Sequence, residues 1–333
     1  MYNFCTLFDS NYLSRGLAMY ESLIKVCDKF HLFVFAFDNK CLQVLKKLDL
    51  PRLTVISLKE FETAELLEIK KTRTAQEYCW TCTPSIIIHI IRQFNVENCT
   101  YLDADLYFYS SPEPLFNEAP EKSVIITSHR YTREYDQSET SGKYCVQFVF
   151  FRNDAEGLKV LDSWRNACNE WCYNRIEDNK FGDQKYLDDW LEQYTCVHEL
   201  QNLGGGMAPW NIQQYKGKNN NEVLEFNEPG NHKNFKLIFY HYHNLRIYET
   251  YADYGKYRLK SFVKQKLYRP YVNRLLNISK NLITNFPELQ LKPNATLVDN
   301  RGRWGMIKYK LFRFKKGLNN FYCFQHQQKV NEI

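Results

Sequence analysis

Two carboxylates one residue apart, in the stretch TYLDADLYFY from Thr100 to Tyr109, are the strongest chemical signal in this chain of 333 residues. On extended backbone, side chains at i and i+2 project to the same side, so Asp103 and Asp105 are expected side by side. Neighbouring carboxylates repel unless a cation lies between them or one keeps its proton. The tripeptide alone is weak, since fifteen aspartates give roughly 0.7 chance D-x-D matches in a chain of this length. Its setting strengthens it. An apolar run leads in and an aromatic run follows, which is the pattern of a strand end opening into a crevice. The competing reading is a solvated turn.

The elements that must position these carboxylates alternate between two periods. YNFCTLF reads as a strand, and NYLSRGLAMYESLIKVC carries apolar residues at helical spacing. FHLFVFAF is continuous and apolar, as buried parallel strands are, and it stops at Asp38-Asn39, a cap for the helix CLQVLKKL. RLTVISL forms a third strand, a helix runs through SIIIHIIRQF, and CTYLDAD follows. This βαβαβ order predicts an α/β fold with an open, mostly parallel sheet that binds ligands at the carboxyl ends of its strands. Asp9, Asp38, Asp103 and Asp105 each lie just past an apolar run, so they should gather at one edge. Further on, SVIIT and YCVQFVFF read as strands, Asp154 to Tyr173 as a helix, and FKLIFYHYH as a late strand. NLGGGMAPWN between them reads as a flexible loop. Its three glycines lack the surrounding pattern of a phosphate-binding loop.

Composition bounds the rest. A chain of this length has room for a full core, and its 44% hydrophobic and 25% charged content is that of a globular protein. No stretch approaches the roughly 18 apolar residues of a membrane span. Met1 is not followed by a basic region and an apolar signal core, which gives a cytoplasmic expectation. Eleven cysteines, an odd number, fit reduced thiols. Cys79 and Cys82 have C-x-x-C spacing and Cys168 and Cys172 are four apart, a spacing a zinc site could use, but the second pair lies in a helical pattern where cysteine is a small buried residue. The sequons at Asn98, Asn277 and Asn294 carry no meaning in a cytosolic chain. Residues 256–316 hold 16 Lys and Arg against Glu288 and Asp299, a net charge of +14, and leave the remainder at −8. Interleaved aromatics, as in RWGMIKYKLFRFKK, suit a docking surface for an anionic membrane or an acidic partner. They also raise the alternative of a nucleic-acid-binding protein, although no nucleic-acid motif is visible.

TLFDSNYLSRGLAMYESL, RTAQEYCWTCTP, YLDADLYFY, YCVQFVFF, GDQKYL and YHYHNL, in that order, resemble the GT-A fold glycosyltransferases that use nucleotide-diphospho-sugars. The closest type is family eight, that of glycogenin and the lipopolysaccharide galactosyltransferases. The resemblance covers roughly residues 2–246 and divides the chain into a catalytic domain, 1–250, and a basic aromatic-rich region, 251–333.

The resemblance implies roles for individual residues. Asp103 and Asp105 bind Mn²⁺ or Mg²⁺ and through it the donor diphosphate, and His241 completes the site, with His243 as the alternative ligand. Asp9 accepts from the uracil ring, Tyr12 stacks on it, and Arg73 pairs with phosphate. Gln147 meets a sugar hydroxyl, and Asp183-Gln184 lie near the transferred sugar. Asn244 stands where the family has Gly, and the Lys-Pro-Trp that usually follows the histidine is absent, with Arg246 the candidate to supply the lost charge. The implied activity is transfer of a hexose from a UDP-sugar to a glycan or lipid-linked acceptor, with retention, in envelope or surface glycan synthesis. A sugar-phosphate nucleotidyltransferase is the alternative within this fold, but it would want a glycine-rich basic loop after the first strand.

Overall fold

A computed structural model describes residues 1–220, 223–230, 234–292 and 301–324. The Asn294 sequon and Asp299 lie outside the described residues. The main sheet has seven strands: β1 (Tyr2–Phe8), β2 (Phe30–Ala36), β3 (Leu53–Ser57), β4 (Asn98–Leu102), β6 (Val124–Ser128), β7 (Tyr144–Arg152) and β8 (Val197–Glu199), with a short β5 (Leu106–Phe108) lying off this sheet. Their order is β3-β2-β1-β4-β7-β6-β8, and only β7 runs against the others. Both faces are covered, which is why β1, β2 and β7 are apolar without alternation. Phe4, Phe8, Leu32 and Val34 enter one core, whereas Cys5, Leu7, Phe33 and Phe35 enter the other.

Helices α1 (Leu13–Val26) and α2 (Asn39–Leu48) follow β1 and β2, and α3 (Ala75–Phe94) leads into β4. The helix expected over Asp154 to Tyr173 is α4 (Ala155–Glu170), capped by the Asp154 side chain on the Gly157 amide. A capping box of Thr74 and Glu77 starts α3, and the second Glu77 oxygen accepts from the Asn174 amide at 2.8 Å. Glu77→Ala is therefore expected to lower stability by about 1–2 kcal/mol, read as a shift in the urea midpoint at unchanged slope.

Beyond β8, a small antiparallel sheet forms from β9 (Lys216–Asn220), β10 (Val223–Asn227) and β11 (Asn234–Lys236). The next strand, β12 (Phe239–His241), pairs antiparallel with β5 and sets His241 opposite Leu106. A third sheet joins β13 (Arg246–Ile247), β14 (Tyr251–Asp253) and β15 (Phe321–Cys323). Helix α5 (Arg269–Asn285) lies on α1, and its Val272, Leu275 and Leu282 enter the same core as Leu17 and Leu23. The last helix is α6 (Gly302–Lys315).

Two local expectations change. The D-x-D is not extended: Asp103 to Asp105 forms a turn between β4 and β5, closed by the Leu106 amide on the Asp103 carbonyl at 3.2 Å. The glycine stretch is not a flexible loop, since residues 204–212 are buried. A side-chain carbon on Gly204 would stand 2.1 Å from the Lys236 carbonyl oxygen, and Gly206 has a φ of +93°. Glycine is needed there for close approach and left-handed backbone.

Candidate active site

The site is built where β4 ends. The amide of Asp103 donates to the Gln147 carbonyl on β7, and the Asp103 carboxylate accepts from the Tyr101 hydroxyl at 3.0 Å. The pairing of β12 with β5 then carries a residue from 136 positions along the chain onto the turn: the Tyr242 amide donates to the Asp105 carbonyl, and the His241 amide to the Met207 carbonyl. His241 Nε2 consequently stands 3.0 Å from Asp105 Oδ1 and 3.7 Å from Asp103 Oδ2. Among the described residues, Asp103, Asp105 and His241 form the one cluster of three such groups able to share a metal ion, with ligand atoms within 4.8 Å of one another.

Three observations fit a divalent cation. Two carboxylates and an imidazole are oxygen and nitrogen donors that a divalent cation takes. The far ring nitrogen of His241, Nδ1, lies 2.8 Å from Gln147 Oε1. An amide oxygen only accepts, so Nδ1 carries a proton. Against burial, Asp105 and Asp103 also raise the His241 pKa and hold it protonated at Nε2, and a cation would take the place of that Nε2 proton. The carboxylates are also unequal. Burial, eased by His241 and reinforced by Asp105, pushes Asp103 up to about 6, while at Asp105 burial is outweighed by His241 together with His243 and Arg15, which hold it down to about 2. Such a crowded pair is what a bound cation would relieve.

The residues around this cluster are placed as follows. Asp9 accepts from the amides of Asn11 and Tyr12 and from the Asn11 side chain, bracing the turn that presents Tyr12. Tyr12 stays exposed, yet surrounding protein and then the charges of Asp105 and Asp103 raise its hydroxyl pKa, with Arg15 opposing them. Asp38 caps α2 and accepts from Ser10, so the first-strand loop and the second-strand end meet at this edge. Asp183 is buried, and burial plus the Asp103 charge push its carboxyl up to about 7, against a hydrogen bond from Thr83. Gln184 donates its side-chain amide to the Ser141 carbonyl. Arg73 lies over the Tyr173 ring, 3.8 Å from its centre, and donates to the Thr72 hydroxyl and to the carbonyls of Asn169 and Glu170. None of these Arg73 partners belongs to the Asp103–Asp105–His241 cluster.

His243 lies beside His241. The strand ends at His241, the chain turns, and both imidazoles stand edge-on to Trp210, with centres 5.3 and 5.4 Å from it. Asn244 explains the missing glycine: its φ is +63°, the left-handed region that Asn tolerates better than other residues with a side chain. Asn244→Gly should therefore leave the melting temperature nearly unchanged, whereas Asn244→Val should cost about 1–2 kcal/mol. Arg246 is an exposed residue of the small third sheet.

Sequence reasoning missed Arg15. It lies three residues beyond Tyr12, which caps α1, and that spacing was the available signal. Its buried guanidinium sits 4.6 Å from the Tyr12 ring centre, donates to the Leu245 carbonyl and favours ionisation of Asp105. Trp210 was missed as well, with no periodic signal in its loop.

Comparison with known proteins agrees with this geometry. A family model described as nucleotide-diphospho-sugar transferase matches residues 30–217. The uncharacterized YfnD and YfnF proteins of Bacillus subtilis (strain 168) are 30% and 32% identical over 296 and 255 residues. Those alignments cover 86% and 73% of this chain and 93% and 82% of the relatives. Among solved structures, the galactosyltransferase LgtC with donor and acceptor sugar analogues shares 10% identity at a TM-score of 0.49, covering 83% of this chain and 95% of that one. Mouse xyloside xylosyltransferase 1 shares 14% at 0.41, covering 60% and 84%. The chain belongs to the nucleotide-diphospho-sugar transferases. It is a glycosyltransferase whose donor is a nucleotide-diphospho-sugar.

Proposed function

We propose that this enzyme moves a hexose from a UDP-sugar to a hydroxyl of a glycan or lipid-linked acceptor, with retention and with Mn²⁺, in cytoplasmic synthesis of an envelope or surface polysaccharide. The observation that carries the reading is the Asp103–Asp105–His241 cluster at the end of β4, with Tyr12 exposed beside it. A cation held there would neutralise the diphosphate as the glycosidic bond breaks.

The chain's own residues do the rest. Tyr12 offers its ring to the uracil, and Asp9 holds the turn beneath it with a lone pair left for the base. Arg73 serves phosphate from the rim by exchanging its present bonds to Thr72, Asn169 and Glu170 for phosphate oxygens. Asp183, poised near neutrality, holds a proton against a hydroxyl of the transferred sugar, and Gln184 anchors the segment that carries it. Gln147 acts through His241, by fixing its tautomer. The leaving diphosphate itself takes the acceptor proton, so no separate base is required.

Equilibrium binding of radiolabelled UDP with and without Mn²⁺ tests this, followed by a panel of UDP-hexoses scored for UDP release and product anomer. Mn²⁺ should tighten UDP binding at least tenfold. Equal binding in EDTA, or equal preference for GDP and CDP, would refute it.

A further inference from the structure

Helix α6 is packed inside out. A surface helix of a folded domain normally turns its apolar stripe to the core and its charges to water. Here a charged side chain, Arg313, goes in and the apolar row stays out. Arg313 is buried against Asp253, with Nη2 3.2 Å from Oδ1, and also donates to the Gly255 carbonyl. Tyr309, one turn earlier on the same side, donates to Asp253 and carries the Arg301 guanidinium over its ring at 3.9 Å. These contacts pin α6 to β14 through a buried ion pair.

The opposite side is apolar and open. Trp304, Ile307, Leu311 and Phe314, at i, i+3, i+7 and i+10, form one row along the helix, and Trp304 is 76%, Leu311 55% and Phe314 65% exposed. With Phe312, this 14-residue helix holds five of the twelve exposed large hydrophobic residues of the described chain, so chance scatter does not account for the row. Exposed Lys308 and Lys315 flank it, and Lys316 lies over the Phe312 ring at 4.6 Å.

We propose that this outer face of α6 docks in the headgroup layer of an anionic lipid bilayer. Aromatic and aliphatic side chains bordered by lysines are the chemistry of a helix lying in a membrane interface, apolar row in the acyl boundary and ammonium groups at lipid phosphates. The wider charge pattern agrees. Residues 256–316 carry +14 and the remainder −8, so an anionic surface would attract this end and repel the rest. A second copy of the same face would instead set Lys308 and Lys315 against their own kind. No helix of the described residues is long and apolar enough to cross a membrane, so contact made through α6 would be peripheral.

Flotation of the full chain with phosphatidylglycerol-containing and pure phosphatidylcholine vesicles tests it. The wild type should float with the anionic vesicles at low salt and lose most of that binding near 1 M salt, where the Debye length is about 3 Å. Trp304→Ser/Leu311→Ser/Phe314→Ser alters only exposed positions and should weaken binding at least tenfold, while Mn²⁺-dependent UDP binding stays unchanged. Lys308→Glu/Lys315→Glu keeps the apolar row and should remove the preference for anionic lipid. It also keeps the test valid if the triple variant misfolds. Three results would overturn the proposal: no flotation at low salt, undiminished flotation of both variants, or a lipid-indifferent dimer that the triple variant dissociates.

Discussion

Asp105→Asn is expected to cut kcat/KM at least a hundredfold, and Asp103→Asn by a similar factor, because each removes a charged oxygen from the cation cluster. The two should part company in stability. Asp105 is the closer partner of His241, at 3.0 Å against 3.7 Å for Asp103. Removing its charge leaves a buried imidazole facing a single carboxylate, so Asp105→Asn should lower the melting temperature in metal-free buffer. Asp103 is the carboxylate that burial and its neighbour disfavour as an anion. Its replacement relieves that repulsion and should leave stability level or raised. Thermal unfolding in EDTA, run beside activity with Mn²⁺ restored, reads both effects. Full turnover by either variant in EDTA would end the metal assignment.

His241→Ala is expected to have the next largest effect, raising the Mn²⁺ concentration for half-maximal activity at least a hundredfold. Gln147→Leu removes the acceptor at Nδ1 without touching the carboxylates, and an outer partner of this kind is worth about 10–100-fold in metal affinity. It should therefore move metal half-saturation by that amount with little change in KM for the donor at saturating metal. Gln147→Glu, which keeps an acceptor oxygen, should recover most of the loss. His243→Ala should be mild, because His243 is outside the three-residue cluster. A larger effect at His243 than at His241 would transfer the third-ligand role to it.

Much of the architecture was legible in the residues. Continuous apolar runs marked β1, β2 and β7 as strands covered on both faces, and helical spacing marked α1 and α3. Aspartates just past strand ends located the crevice edge, because a strand must end where its side chains need water, a cap or a ligand. The local shape at that edge was less legible. Asp103-Ala104-Asp105 reads as extended by its neighbours, yet β5 leaves the main sheet to pair with β12, and the chain must turn between them. NLGGGMAPWN reads as mobile from its glycines, although each close approach there exists only because distant chain, such as Lys236, packs against it.

Residue types and their periods therefore determined the α/β class, a ligand-binding edge of the sheet and the carboxylate pair, since these follow from local propensity and burial pattern. Tertiary structure alone decided which histidine meets the carboxylates, because the β5–β12 register joins segments more than 130 residues apart, and periodicity names no partner. It decided that Gln147 fixes the His241 tautomer and that Arg15 is buried beside Tyr12. It also decided the orientation of α6. An amphipathic period shows that a helix has two faces, but only the Arg313–Asp253 ion pair, drawing the Arg313 side inward, leaves Trp304, Leu311 and Phe314 to the solvent.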